Sequence, residues 1–334
     1  MIRLVADIGG TSIRLAHSTA DMPDGKDATV MDIAHMACAD FAHAGDAVGQ
    51  YCEQHGLHVD AVVMAAAGQI NGPVVDITNN HWRFDAGQLA ASIGAKSYLL
   101  INDFTAQAVA HRGLLDPAYE GGPDDYQILR VGTADYVAPL LVTGPGTGLG
   151  VAALVPSGAI DGGENSLAVI EGEGGHTSYA PRNGDEVALL AELTARYGHV
   201  STERIVSGPG LEAVYHIQTG QDLPAPLIGA AALQGDVAAC NAVNLMLQSL
   251  ATAIANMALA LGASGGVVIA GGIVPKLADL LPESGFFERL SDHGRRRDFI
   301  DNLPLYLALD PYAGLRGAAA AYDNRHLAPR IIRL

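Results

Sequence analysis

The chain has 334 residues, of which 49% are hydrophobic and 16% charged. That is more than a single hydrophobic core usually serves, so two lobes are expected, and it is too apolar for extensive disorder. Its 19 basic residues against 36 acidic ones give a formal net charge of -17, which sets the chain as a whole against polyanions and excludes nucleic acid as an expected partner. A nucleotide is still admissible, because backbone N–H groups in glycine-rich turns bind phosphate without net positive charge. Cys38, Cys52 and Cys240 are odd in number and widely spaced, which argues against a disulfide framework and for a reducing compartment. From Met1 the sequence reaches Asp7 before an apolar signal region can form, so the expected location is the cytoplasm.

In chain order, Ile2 to Asp7 reads as a strand, Gly9-Gly10 as a turn and Ser12 to His17 as the antiparallel return. Ala28 to Ala34 and Val59 to Ala66 read as further strands, with a helix between them from Phe41 to His55. This is an α/β pattern. Ser97 to Ile101 is an apolar strand that hands over at Asn102-Asp103 to a helix from Phe104 to His111. Asp is a preferred helix N-cap, so Asp103 is expected to cap that helix. In open α/β sheets ligands gather outside such strand ends. Gly113 to Tyr126, rich in Gly, Pro and Asp, is the natural lobe boundary.

Beyond it, Val137 to Thr143 and Leu149 to Val155 read as strands joined by Gly144-Pro145-Gly146-Thr147-Gly148, a second hairpin that repeats the design of Asp7-Ile8-Gly9-Gly10-Thr11. Helices are expected over Asp185–Tyr197, Gly210–Ile217 and Val237–Leu261, then a strand over Gly266–Ala270. The apolar stretch Leu245 to Val274 holds Gln248, Ser249, Thr252 and Asn256 and is broken by Gly262, Gly265 and Gly266. It therefore reads as a core helix followed by a buried strand, not a membrane span.

Several familiar signatures are missing or misleading. Gly25-Lys26 is followed by Asp27, so there is no P-loop, and the first strand lacks a dinucleotide fingerprint. Gly262-Ala263-Ser264-Gly265-Gly266 matches the serine-hydrolase pattern but leaves a helix for a strand, the reverse of a nucleophile elbow. Cys52, His55 and His58, with His35 and Cys38, have spacings that suit zinc, yet polar residues at a helix end more often face solvent. Glu171-Gly172-Glu173-Gly174-Gly175-His176 places two acids and an imidazole on a glycine-rich segment, a set suited to neutral hydroxyls.

Taken in order, Ala6 to Thr11, Thr78-Asn79-Asn80, Ile101 to Ala106, Gly144 to Gly150, Gly172 to His176, Gly198 to Gly210 and Ile269 to Pro275 resemble the bacterial glucokinase family of the hexokinase and actin-like ATPase superfamily. The resemblance implies a two-lobed α/β, actin-like ATPase (ribonuclease H-like) fold with a deep interlobe cleft. Residues 1–113 with 312–334 are expected to form the small lobe and 114–311 the large one. It implies ATP-dependent phosphorylation of glucose, with Asp103 as general base and Asn102, Asp103, Glu173, His176 and Glu203 on the sugar hydroxyls. Asp7 matches the acid that holds Mg²⁺ through water. Gly9, Gly10 and Thr11, with Gly144, Gly146, Thr147 and Gly148, match the phosphate turns; Gly271 and Gly272 match the adenosine segment. A cytoplasmic homodimer without membrane attachment is implied as well. Ser12 stands where the family commonly has Asn, and Thr177 to Asn183 lacks the cysteines of the related zinc-containing group. No helix-turn-helix extension precedes Asp7, which speaks against a DNA-binding regulator. The competing readings are a kinase of another hexose or amino sugar, and a catalytically silent sugar sensor.

Overall fold

The computed structural model describes residues 1–19, 29–77, 80–119, 125–159 and 165–334. Its strands are β1 (Ile2–Ile8), β2 (Ser12–Thr19), β3 (Met31–Ala37), β4 (Ala61–Ala66), β5 (Gly68–Asn71), β6 (Val74–Ile77), β7 (Arg83–Asp85), β8 (Ser97–Asn102), β9 (Tyr126–Arg130), β10 (Leu140–Pro145), β11 (Leu149–Ala159), β12 (Asn165–Gly172), β13 (Gly266–Ile269), β14 (Leu305–Ala308) and β15 (Ile332–Arg333). The α-helices are α1 (Ala44–His55), α2 (Ala86–Ser92), α3 (Asp103–Ala110), α4 (Gly184–Tyr197), α5 (Gly208–Thr219), α6 (Ala225–Leu233), α7 (Val237–Leu261), α8 (Phe286–Ser291), α9 (Arg297–Asp301) and α10 (Ala313–Ala321).

The chain divides into two compact units. One is Met1–Asp116 with Ala153–Glu171 and Pro311–Leu334; the other is Pro117–Ala152 with Gly172–Asp310. Residues 153–171 therefore group with the first unit, whereas the sequence-based division left them in the large lobe. Side-chain bonds explain the difference: Asn324 Nδ2 donates to the Leu167 carbonyl at 3.1 Å, and Thr105 and Arg330 both donate to Glu171, at 2.6 and 2.8 Å.

One six-stranded sheet runs β15-β8-β4-β1-β2-β3, with β1, β4 and β8 parallel and the β1–β2 and β2–β3 pairs antiparallel. All six residues of β4 are buried, as expected of a parallel strand covered on both faces. Helix α1 turns Ala44, Ala47, Val48 and Tyr51 inward at helical spacing, into the cluster that holds Leu4, Val62 and Met64. It starts at Ala44, later than the sequence suggested, because residues 38–40 form a separate 3₁₀ turn; Gly56 stops it in the left-handed region at φ 59°. The hairpin strands β5, β6 and β7 form a small antiparallel sheet that the sequence reading did not anticipate. Three or four residues are too few to establish a period. Thr78 and Asn79 lie outside the described residues, as do Gly25, Lys26 and Asp27.

The other six-stranded sheet runs β12-β11-β10-β13-β14-β9. If the first five strands of each sheet are numbered by chain order, with the edge strands β15 and β9 set aside, both read 3-2-1-4-5. The two glycine turns thus sit at equivalent places, each after the first strand of its sheet. Strand β10 begins at Leu140 and not Val137, because Asp135 makes a turn that takes the N–H groups of Val137 and Ala138, and Pro139 has no N–H to give. Strand β9 begins at Tyr126, the last residue of the stretch read as a boundary, and β12 lies mostly in residues 156–170, to which the sequence assigned no element.

Helix α7 is long and apolar enough, by length and composition, to cross a membrane, but 67% of its apolar window is buried inside the fold. Val243, Met246, Leu247, Leu250 and Ile254 belong to the second unit's core. Gly262 ends the helix at φ 62°, and the chain enters β13, all four of whose residues are buried. Ser264 accordingly sits between a helix and a following strand.

In the first unit α10 lies against α3 with almost no side chain between them. A Cβ at Gly317 would stand 1.8 Å from the Ala106 carbonyl oxygen. Alanine normally stabilises a helix interior relative to glycine, by about 0.5–1 kcal/mol. Here the sign reverses: Gly317→Ala is expected to cost about 1–3 kcal/mol through overpacking, read as a lower urea midpoint. An unchanged or raised midpoint would disprove this close helix contact.

Candidate active site

In the first unit the polar residues of interest stand at the carboxyl ends of parallel strands. Asp7 is paired in register with Ala65 of β4, and Asn102 with Ala66 of the same strand. Across the hairpin Asp7 faces Arg14, whose Nη1 lies 3.1 Å from Oδ2. The Asp7 side chain is 16% exposed. Burial pushes its carboxyl above the usual carboxylate value, and Arg14 draws it back only in part. A largely buried acid with incompletely met charge fits a divalent cation.

The turn after it is tight: Gly9 N–H donates to the Ser12 carbonyl at 2.9 Å, and the Gly9 carbonyl takes the Cys38 thiol and Asn80 Nδ2. Ser12, the departure noted in the sequence, therefore holds the turn through its backbone. Thr11 is exposed at the tip.

Asn102 and Asp103 are arranged differently from the expectation. Asn102, in extended conformation, is the N-cap of α3, with Oδ1 accepting from Phe104 N–H at 2.8 Å; Asp103 is the first helical residue. Asp103 Oδ1 accepts from the same N–H at 2.9 Å. The cap goes to the residue that is still in strand geometry. The Asp103 carboxylate is consequently fixed at a helix N-terminus, and the Asn102 amide nitrogen is left as a donor for a ligand hydroxyl.

In the second unit the remaining polar residues converge. A 3₁₀ turn over Gly174–His176 follows Glu173. His176 Nε2 is 3.8 Å from Glu173 Oε2, and its Nδ1 is 3.6 Å from Glu203 Oε1. The imidazole is 63% exposed and Glu173 85%, while Glu203 is only 25% exposed. Glu203 Oε2 also accepts from Leu149 N–H at 3.3 Å and would lie 2.6 Å from a Cβ at Gly148. Gly148 therefore leaves room for this carboxylate. Gly175 presses the turn onto β11, where a Cβ would meet the Leu149 carbonyl at 2.1 Å. A bridge between Ser178 and Ser201, with Thr202 N–H donating to the Thr177 carbonyl at 2.8 Å, ties the His176 segment to the Glu203 segment.

The second turn is shaped by absent side chains too. A Cβ at Gly144 would be 1.9 Å from the Ala270 carbonyl, and one at Gly271, held at φ +82°, would be 2.7 Å from that of Pro145. Gly146 N–H donates to the Gly148 carbonyl at 2.8 Å and the Gly146 carbonyl receives Gly208 N–H at 2.9 Å, leaving Thr147 exposed. Gly146 and Gly272 meet no neighbour within 4 Å, so space for a ligand lies beside them. Arg14 and Thr105 were missed in the sequence; Arg14 could have been found as the residue facing Asp7 across the hairpin. Among the described residues no group of three or more His, Cys, Asp or Glu can hold a metal ion. Of the residues whose spacing suits zinc, His55 faces Asp32 at 3.8 Å and its ring lies 4.6 Å from that of Tyr51.

The glucokinase family model matches residues 4–325. A glucokinase of Chromobacterium violaceum is 38% identical over 338 residues, covering 98% of this chain and 91% of that protein. One of Neisseria meningitidis serogroup C is 37% identical over 332 residues, covering 96% of this chain and 95% of that protein. Among solved structures, a glucokinase from an Antarctic psychrotroph superposes with a TM-score of 0.80 at 32% identity, over 97% of this chain and 99% of that one. The glucokinase of Balamuthia mandrillaris in complex with glucose shares the fold, with a TM-score of 0.76 at 24% identity over 97% and 93%. With two sheets of equivalent strand order, paired glycine turns and this match over nearly its whole length, the chain belongs to the glucokinase family, and its fold is that of the actin-like ATPases.

Proposed function

We propose that the chain transfers the terminal phosphoryl group of ATP to the 6-hydroxyl of D-glucose, giving glucose 6-phosphate as the first step of glycolysis. The observation that carries this reading is the Asn102–Asp103 pair at the end of β8, a carboxylate anchored on the first turn of α3 beside an amide donor. Asp103 accepts the proton of the 6-hydroxyl as that oxygen attacks phosphorus. A positioned base contributes about 10²–10⁴ in rate, and most of the remainder comes from alignment and charge neutralisation.

Asn102 and, in the second unit, Glu173, His176 and Glu203 bind the other hydroxyls. The carboxylates accept, and the imidazole donates or accepts according to its tautomer. A site that leaves such groups unpaired with the wrong sugar rejects it by about 10⁴–10⁵. The turns Gly9-Gly10-Thr11 and Gly144 to Gly148 offer backbone N–H groups and the exposed Thr11 and Thr147 hydroxyls to phosphate oxygens, and Gly271 and Gly272 line the adenosine. When bound, Mg²⁺ supplies neutralisation of the β- and γ-phosphate oxygens, and Asp7 would hold it through water. A homodimer in the cytoplasm completes the reading; both rest on the family resemblance, and sedimentation equilibrium measures the first.

Three variants test the assignment. Asp103→Asn keeps the side-chain shape and is expected to lower kcat at least about 10²-fold with glucose binding largely intact; near-normal turnover removes Asp103 as the base. Glu173→Gln is expected mainly to raise the glucose dissociation constant measured by calorimetry, and an unchanged constant argues against a contact there. Asp7→Asn separates stability from function. The folded carboxyl titrates above its ordinary 3.8, so its stabilising contribution is complete below that value and is lost as pH rises through the folded pKa. At neutral pH the ionised group is a liability. Asp7→Asn should therefore raise the apo-protein Tm at pH 7 while abolishing Mg²⁺-dependent turnover; a lowered Tm contradicts the burial argument.

A further inference from the structure

Glu171 shares the acidic, glycine-rich segment with Glu173 but lies outside the machinery assigned above. It is the last residue of the first unit before the chain passes to Gly172. Its two carboxylate oxygens serve different partners. Oε1 accepts from the Thr105 hydroxyl at 2.6 Å, the short distance of a charge-assisted bond, and Oε2 accepts from Arg330 Nη1 at 2.8 Å. The other amino group of Arg330 reaches the Leu100 carbonyl at 3.5 Å.

The placement of these partners gives the contact its meaning. Thr105 is fully buried in the first turn of α3, two residues after Asp103. Leu100 lies on β8, two residues before Asn102. One carboxylate thus holds the chain directly on the far side of Asn102–Asp103 and, through Arg330, on the near side. A buried threonine in a helix commonly turns its hydroxyl back onto its own helix; Thr105 instead spends it on Glu171.

Stability is a poor explanation for the Arg330–Glu171 pair. The Arg330 and Glu171 side chains are 38% and 36% exposed, and exposed ion pairs contribute little to folding. Geometry is the better one, since a catalytic group displaced by about 1 Å can lose about 10²-fold in rate.

We propose that Glu171 is a positioning residue: it accepts the Thr105 hydroxyl and the Arg330 guanidinium and so fixes the β8–α3 junction that carries the Asp103 carboxylate. The proposal rests on the reading of Asp103 as the base. It is tested with four single variants and one double variant of the full chain, assayed for glucose phosphorylation and for Tm. Thr105→Val removes the donor at nearly constant shape and is expected to lower kcat about tenfold while leaving the KM for ATP unchanged. Thr105→Ser keeps the hydroxyl and should restore most of the rate. Glu171→Gln retains an acceptor but loses the charge that holds both partners, and should lower kcat with little change in Tm. The double variant should lose less than the product of the two single losses, because the Thr105–Glu171 bond is common to both.

Wild-type kcat in both Thr105→Val and Glu171→Gln overturns the proposal, as do losses that simply multiply in the double variant. Should Thr105→Val fail to fold, the partly exposed Glu171→Gln decides alone: a normal kcat there is the overturning result. Asp103→Asn in the same assay keeps the two readings apart. Its loss of turnover beside unaffected Thr105 and Glu171 variants removes only the role of Glu171, whereas normal turnover in Asp103→Asn overturns both.

Discussion

Where β10 ends, the carbon that any side chain would add at Gly144 falls 1.9 Å from the Ala270 carbonyl; at Gly175 it falls 2.1 Å from that of Leu149, and at Gly317 1.8 Å from that of Ala106. In each place main chain rests on main chain. The first contact sets the turn after β10 against the end of β13, the second seats the His176 turn on β11, and the third packs α10 onto the helix that begins with Asp103. Backbone packed this way has few rotamers to adjust, so turns and strand ends that face a ligand keep their shape before it arrives. Preorganisation of this kind is what phosphoryl transfer asks of a protein, because alignment and fixed dipoles do most of the work.

The acidic side chains follow a complementary logic. Asp7 is kept largely out of water with one guanidinium beside it, and burial pushes its carboxyl above the usual value. Glu203 is half-withdrawn and held by a backbone N–H, whereas Glu173 projects into solvent. Asp103 and Asn102 are restrained by a helix start. On the proposed reading of Asp7, incomplete neutralisation favours a cation, because the cation then meets a charge that the fold has left unmatched. Hydroxyl-binding acids gain from fixed direction instead, since a hydrogen bond weakens steeply once its angle is lost.

The shared strand order of the two sheets gives this division an architectural basis. In both, the first strand runs into a glycine turn and returns as an antiparallel neighbour, while parallel strands continue on its other side. Parallel strands expose their carboxyl ends together, and the turn after the first strand lies at that edge. A repeated topology therefore yields a glycine turn at the same place twice. What differs is the decoration: an acid precedes the turn in the first sheet, and Thr143-Gly144 stands there in the second.

From the sequence alone came the two glycine hairpins, the strand ending at Asn102, the long core helix and the family to which they point, because each is written in contiguous residues whose period or turn chemistry is local. The short strands β5 to β7, the edge strand β9 and β12 were hidden, since three to eight residues carry little period and their partners are distant in the chain. Capping of α3 passed from Asp103 to Asn102 because the backbone angle at the junction, set by the sheet, decides which side chain reaches the free N–H groups. The pairing of Thr105 and Arg330 on Glu171 spans 66 and 159 residues, and no spacing rule reaches that far. Local pattern determined which elements form; only their packing decided which side chains meet, because a hydrogen bond depends on position in space and the sequence records only order.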